Sequence, residues 1–303
     1  MKLSAFTLTT NNNYWQMPSI ESIQSFLPLV DELVVVDGGS NDGTIDQIKG
    51  LKSDKIKLVN DKDTFWSYEW KYDIMGRNFQ RGFDECTGDW VIKFDSDYIL
   101  HEAYVTKTRQ GLEYCDKNNF LFAIQNRLNF ILIDRYFQKT WGLFAVNKTK
   151  LIKEHPTARM GCDLKQTAIN WEFVEKGEWQ DGIYIGDLFR TSENSYKVST
   201  QLWNYDHAFM TKERLMERRL RHFEAEIKQF GLHIYGIDSY EKEYPYELYL
   251  NICKRYFKKF PMTPIEISHH PIYIQDRIKQ MNRQQFGYSG FDLIQGEKSA
   301  YLI

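Results

Sequence analysis

Residues 31–44 read DELVVVDGGSNDGT. Leu33 to Val36 form an unbroken apolar run rich in β-branched residues, which suits a strand in a buried sheet. The run stops at Asp37, and a cluster of Gly, Ser, Asn and Asp follows, which is turn chemistry. Asp42 or Thr44 then stands where a helix cap belongs, ahead of TIDQIKGL. The same alternation continues on both sides. Upstream, LSAFTLT (3–9) reads as a strand ending in polar Thr and Asn. SIESIQSFLPLV (19–30) places Ile20, Ile23, Phe26, Leu27 and Val30 at helical spacing. Downstream, KIKLVND (55–61) is a third strand, RNFQRGFDEC (77–86) a helix that Gly88 can end, and DWVIKFDSD (89–97) a fourth strand. The order βαβαβαβ predicts an α/β fold with a mostly parallel sheet flanked by helices. Ligands of such sheets sit beyond the carboxyl ends of the strands. Thr9–Asn13, Asp37–Thr44 and Asp95–Asp97 are therefore expected to converge on one edge.

Farther along, 120–133 and 141–147 carry strand-like runs, and 151–200 are less regular. MTKERLMERRLRHFEAEIKQF (210–230) predicts a helix capped by Thr211 with charges on one face. YELYLNICKRYFKKF (246–260) predicts another, ended by Pro261. A boundary near residue 205 separates a catalytic unit (1–205) from a C-terminal helical region (206–303). The basic, aromatic helices of that region read as a lid on the catalytic unit, and they also suit contacts with an anionic acceptor, a membrane surface or a second copy of the chain.

The 303 residues are 42% hydrophobic, enough for a sizeable core, and a formal net charge of -2 advertises neither a polyanionic nor a polycationic partner. Cys86, Cys115, Cys162 and Cys253 form no C-x-x-C pair. This leaves zinc unsupported and fits a reducing cytoplasm. No apolar run approaches the roughly 20 residues that span a bilayer. The expected setting is cytoplasmic, with attachment at most peripheral. No base-reading motif is present, so nucleic acid is not the expected partner.

Asp95 and Asp97, two apart in a strand, would share a face. Two close carboxylates repel unless a cation or hydrogen bonds compensate, and hard oxygen ligands suit magnesium or manganese. Taken alone, the pair also fits a helix start. Asp37, before two glycines, can bond a base or ribose, or close a local Asx turn. No Walker loop or G-x-G-x-x-G accompanies it.

Together, VVVDGGSNDGT, GRNFQRGFDECTGDWVIKFDSD and FTLTTNN resemble the family 2 glycosyltransferases with the GT-A nucleotide-sugar-binding fold, over about residues 1–100. The resemblance implies a transferase that moves a sugar from a nucleotide-diphosphate donor, most readily a UDP-sugar, to a hydroxyl of a glycan or lipid-linked acceptor, with inversion. It implies that Thr9 lies near the base, Asp37 bonds base or ribose, Arg77 faces the nucleotide or its phosphates, Asp95 meets ribose or metal, and Asp97 ligates a Mn2+ or Mg2+ ion on the diphosphate. His207, in LWNYDHAF, is implied as a third ligand or a diphosphate contact, with Trp203 and Tyr205 lining the pocket. Asp163 is implied as the general base, with Asp187 and Glu172 as rivals. Gly38 and Tyr98 stand where many members carry acidic residues. The rival classes are a sugar-phosphate nucleotidyltransferase, whose Gly-rich basic loop TLTTNNNYW lacks, and a non-catalytic nucleotide- or glycan-binding module.

Overall fold

The computed structural model describes residues 1–60, 72–161, 172–180 and 183–288. The strands are β1 (Leu3–Thr9), β2 (Glu32–Asp37), β3 (Ile56–Asn60), β4 (Trp90–Lys93), β5 (Tyr98–Leu100), β6 (Phe122–Leu132), β7 (Arg135–Asn147), β8 (Arg159–Gly161), β9 (Glu172–Gln180), β10 (Ile183–Leu188), β11 (Ser195–Asn204) and β12 (Thr263–Pro264). The helices are α1 (Ser19–Phe26), α2 (Thr44–Gly50), α3 (Tyr72–Glu85), α4 (Val105–Lys117), α5 (Lys148–Glu154), α6 (Lys212–Phe230), α7 (Tyr244–Lys259) and α8 (Ile272–Lys279). None of the described helices is long and apolar enough to cross a membrane.

The main sheet runs β3-β2-β1-β4-β7-β6-β11-β5, with β12 on β7. Strands β3, β2, β1 and β4 pair in parallel, as the βαβ alternation requires, and only β5 and β7 run against the rest. Both faces of this sheet are buried. One packs under α1 and α4 through Phe26, Phe94, Leu112 and Trp90, the other under α3 through Phe6, Phe79 and Phe83. Gly82 lets α3 approach β1, because a Cβ there would run into the Phe6 ring. The irregular stretch 151–200 contains a second, three-stranded sheet, β10-β9-β8.

The fourth strand is shorter than expected. It ends at Lys93, and the Tyr98 amide donates to the Asp95 carbonyl (2.9 Å), so Asp95–Asp97 form a turn. The strand argument that put both carboxylates on one face therefore does not hold. The residues after 205 are knitted into the rest of the chain. β12 adds to β7, the Ile133 amide donates to Gly287, and one apolar cluster joins Trp15, Leu132 and Phe137 to Leu215, Tyr249 and Phe286.

Candidate active site

The register sets Thr9 beside Asp37 and Asp37 beside Asn60 at the carboxyl edge. Asp37 is fully buried and accepts from Thr9 Oγ1 (2.8 Å), the Gly39 amide (3.0 Å), the Ser40 amide (2.7 Å) and Ser40 Oγ (2.6 Å). Four donors fill the acceptor sites of a carboxylate. Asp37 thus organises its own loop. The loops after β1 and β2 are laced together. The Asn11 amide donates to Ser40 Oγ (2.8 Å), the Asn41 amide to Asn11 Oδ1 (2.8 Å), and the Tyr14 amide to Asp42 Oδ2 (2.7 Å). Asp42 Oδ1 also takes the Thr44 amide (3.0 Å), but the N-cap of α2 is Gly43, in the left-handed region, and neither Asp42 nor Thr44 caps the helix. The result is a stiff backbone floor.

The turn after β4 separates its two carboxylates electrostatically. Burial works to raise the Asp95 carboxyl, but the charges of Lys93 and Arg127 and hydrogen bonds from Lys93 and Tyr98 hold it below its ordinary value. Lys93 Nζ lies 3.0 Å from Asp95 Oδ1. Asp97 is the opposite case. Burial, then the charges of Asp95 and Asp206, push it well up, against the charge of Arg218. Its Oδ1 is buried with no hydrogen-bond donor. A buried carboxylate oxygen without a donor, among other carboxylates, fits a cation.

Helix α6 roofs this edge, capped by Thr211, whose Oγ1 accepts from the Arg214 amide (3.4 Å). Arg214 stacks on Tyr14 (3.9 Å), and Arg218 and Arg221 lie over Trp15 (5.9 and 5.2 Å). Arg218 Nε and Arg219 Nε are buried and have no acceptor. Burial pulls the Arg218 pKa down against the opposing charges of Asp97 and Asp206.

His207 is buried, and its Nδ1 sits 2.7 Å from Asp206 Oδ1 and 3.0 Å from the Tyr249 hydroxyl. Among the described residues no three His, Cys, Asp or Glu side chains gather as a metal-ligand set. A magnesium-like ion can be held by one or two carboxylates when phosphate oxygens and water complete its shell. Asp97, with Asp95 beside it, meets that lesser requirement.

Trp203 and Tyr205 do not line the edge. They stack on Phe130 (5.2 and 4.9 Å) in an apolar cluster, and Tyr205 bonds His270 Nδ1 (2.8 Å). Arg77 is exposed on α3. Glu172 is held by Arg190 through two bonds of 2.9 Å. Asp187 is exposed on β10 of the second sheet. Asp163 lies outside the described residues. Sequence reasoning missed Asp206, Arg218, Arg219 and Arg127. The signals were present: paired arginines in a helix read as a solvated charged face, and an arginine inside the apolar run FLFAIQNRLNFILI.

Residues 18–157 match the family model described as glycosyl transferase family 2. No curated protein matches the chain by sequence. Among solved structures, the chain is similar to S. aureus TarS 1-349 at 12% identity, covering 86% of this chain and 72% of that one, with a TM-score of 0.42. It is also similar to glucosyl-3-phosphoglycerate synthase from Mycobacterium tuberculosis, solved with Mn2+, UDP and glucosyl-3-phosphoglycerate, at 18% identity, covering 50% and 58%, with a TM-score of 0.34.

Proposed function

Because residues 18–157 match the model of glycosyl transferase family 2, we propose that the chain moves a sugar from a nucleoside-diphosphate donor to an acceptor hydroxyl with inversion. One observation carries this reading. At a single sheet edge Asp97 Oδ1 is buried without a donor, and Arg218 Nε and Arg219 Nε are buried without an acceptor. Buried polar groups are normally satisfied, and leaving them unmade is costly. Opposite unmet demands side by side suit a ligand that brings both a cation and an anion, as a metal-bound diphosphate does.

In this reading the laced loops after β1 and β2 seat the base and ribose, and Asp37 holds that floor in shape. Asp97, supported by Asp95, would hold Mg2+ or Mn2+, which when bound supplies charge neutralisation on the leaving diphosphate. Arg218 and Arg219 bind phosphate oxygens from the roof and take up the charge that grows there as the sugar leaves. The acceptor oxygen bonds to the anomeric carbon while the carbon–oxygen bond to the diphosphate breaks. The electron pair goes to the diphosphate and the proton to a carboxylate base, a role for which Asp163 is our candidate. The acceptor in this reading is a saccharide, free or lipid-linked.

The test is binding of UDP and UMP, each with Mg2+, to wild type and Arg218→Met, with GDP and dTDP alongside. Arg218→Met should weaken diphosphate binding about 10- to 100-fold, the worth of a charge-assisted bond, and leave the monophosphate nearly unchanged. Wild type that binds none of these nucleotides, or a variant that binds diphosphate normally, would refute the reading.

A further inference from the structure

Strand β6 carries Arg127 in mid-run, opposite Leu202 of β11 and Lys139 of β7. Its guanidinium carbon stands 4.8 Å over the ring of Tyr98. On β7, Gly142 leaves the space the head occupies, since a Cβ there would run into its terminal nitrogen. The head is thus held between an aromatic face and a glycine gap. Half-buried, it has no hydrogen bond from its side chain and no ion pair among the described residues. A guanidinium offers five N–H donors and cannot discharge itself by losing its proton.

The acids that could satisfy it are committed elsewhere. Asp95, Asp97 and Glu172 all act on Arg127 through space. Yet Asp95 pairs with Lys93 at 3.0 Å, and both oxygens of Glu172 bond Arg190 at 2.9 Å. Asp97 has Arg218 as its opposing charge, on the α6 side of the turn. Arg127 lies on the other side, with Asp95 and toward β9 of the second sheet. The α6 side of the turn thus holds guanidinium nitrogens without acceptors, the β6 side holds a guanidinium with no hydrogen bond or ion pair among the described residues, and the diphosphate accounts for only the first.

Resting on the transferase reading above, we propose that Arg127 recognises a carboxylate or phosphate carried by the acceptor. The enzyme then acts on acidic saccharides. Held between Tyr98 and Gly142 beside the Asp95–Asp97 turn, the guanidinium would orient the acceptor by a two-point bond to that anion.

The test titrates the full chain with inorganic phosphate and with glucuronate, glucose serving as the neutral control, with and without UDP and Mg2+. The arginine Nε–Hε NMR signals are followed, and that of Arg127 is identified by its loss in Arg127→Met. Phosphate and glucuronate should shift this signal and glucose should not. Arg127→Met should weaken phosphate binding roughly 10- to 100-fold while UDP affinity stays within about twofold. Gly142→Ala keeps the charge but displaces the head, and should weaken phosphate in the same sense with the fold intact. A signal that phosphate does not move overturns the proposal. So does an Arg127→Met variant that loses UDP affinity in step, which would make Arg127 part of the diphosphate grip. Failure of UDP to bind wild type would sink the donor reading instead, and the nucleotide-free phosphate titration still decides the role of Arg127.

Discussion

Asp97→Asn should make the empty protein more stable and the loaded protein no better for its ligand. Without ligand, the Asp97 carboxylate sets a buried oxygen with no donor against the charges of Asp95 and Asp206. Asparagine keeps the shape and removes the charge. Replacing the buried charge by a neutral amide, whose oxygen still lacks a donor, removes that repulsion and is worth about 1–3 kcal/mol. At about 2 °C per kcal/mol for a chain of this size, the midpoint should rise by about 2–6 °C. The wild type, given UDP-sugar and Mn2+ at about 100 times the dissociation constant, should gain roughly 2.7 kcal/mol by mass action, a shift of about 5 °C. The variant should gain nothing that depends on metal. The sign for pH follows the same logic. Asp97 is an acid whose folded pKa is raised above the model-peptide value of 3.8, so its cost is full above that raised value and fades as pH falls toward 3.8. Differential scanning fluorimetry of both proteins, empty and loaded, checks all of this. If the empty variant melts lower than wild type, or keeps the full metal-dependent shift, then Asp97 is an ordinary structural carboxylate and the account of the site is wrong.

Gly82→Ala should destabilise the chain by about 1–3 kcal/mol, read as a lower urea midpoint at unchanged slope, because the new methyl meets the Phe6 ring where α3 crosses β1. An unchanged midpoint would mean that α3 shifts freely on the sheet. Burial lowers the His270 pKa from 6.5 to about 4. A buried neutral histidine costs stability as pH falls from about 6.5 to about 4, by roughly 3 kcal/mol in all. His270→Gln should remove that much of the acid-side slope seen by chemical denaturation between these pH values, and equal slopes in the two proteins would refute the assignment.

The parallel half of the sheet was legible because local and long-range signals agree there. Val34 to Val36 can only be a covered strand, and the polar ends of β1 and β2 meet in register. The end of β4 was misread for a physical reason. Phe94 is buried like a strand residue, yet the hydrogen bond from Tyr98 to Asp95 turns the backbone, and periodicity does not reveal such a bond. The second sheet was invisible because β9 carries Glu172, Glu175, Lys176 and Glu178, and the partners of Glu172 and Glu175, Arg190 and His155, lie outside that strand. The site was read through its carboxylates, since acids next to an apolar strand stand out. Its arginines were not, because Arg218 and Arg219 in a helix look the same in sequence whether they face water or a buried acid.

The pairing of Gly287 with Ile133 has a consequence for synthesis on the ribosome. The two partners are 154 residues apart, and Phe286 and Leu215 belong to the same apolar cluster as Leu132 and Phe137. At about 5–20 residues per second, the cover for that cluster emerges roughly 8–30 s after the strand it covers. During this interval the nascent chain has its parallel strands but leaves Leu132 and Phe137 exposed. Expression as a fragment ending near residue 205 would make that interval permanent, and such a fragment should bind chaperones or aggregate.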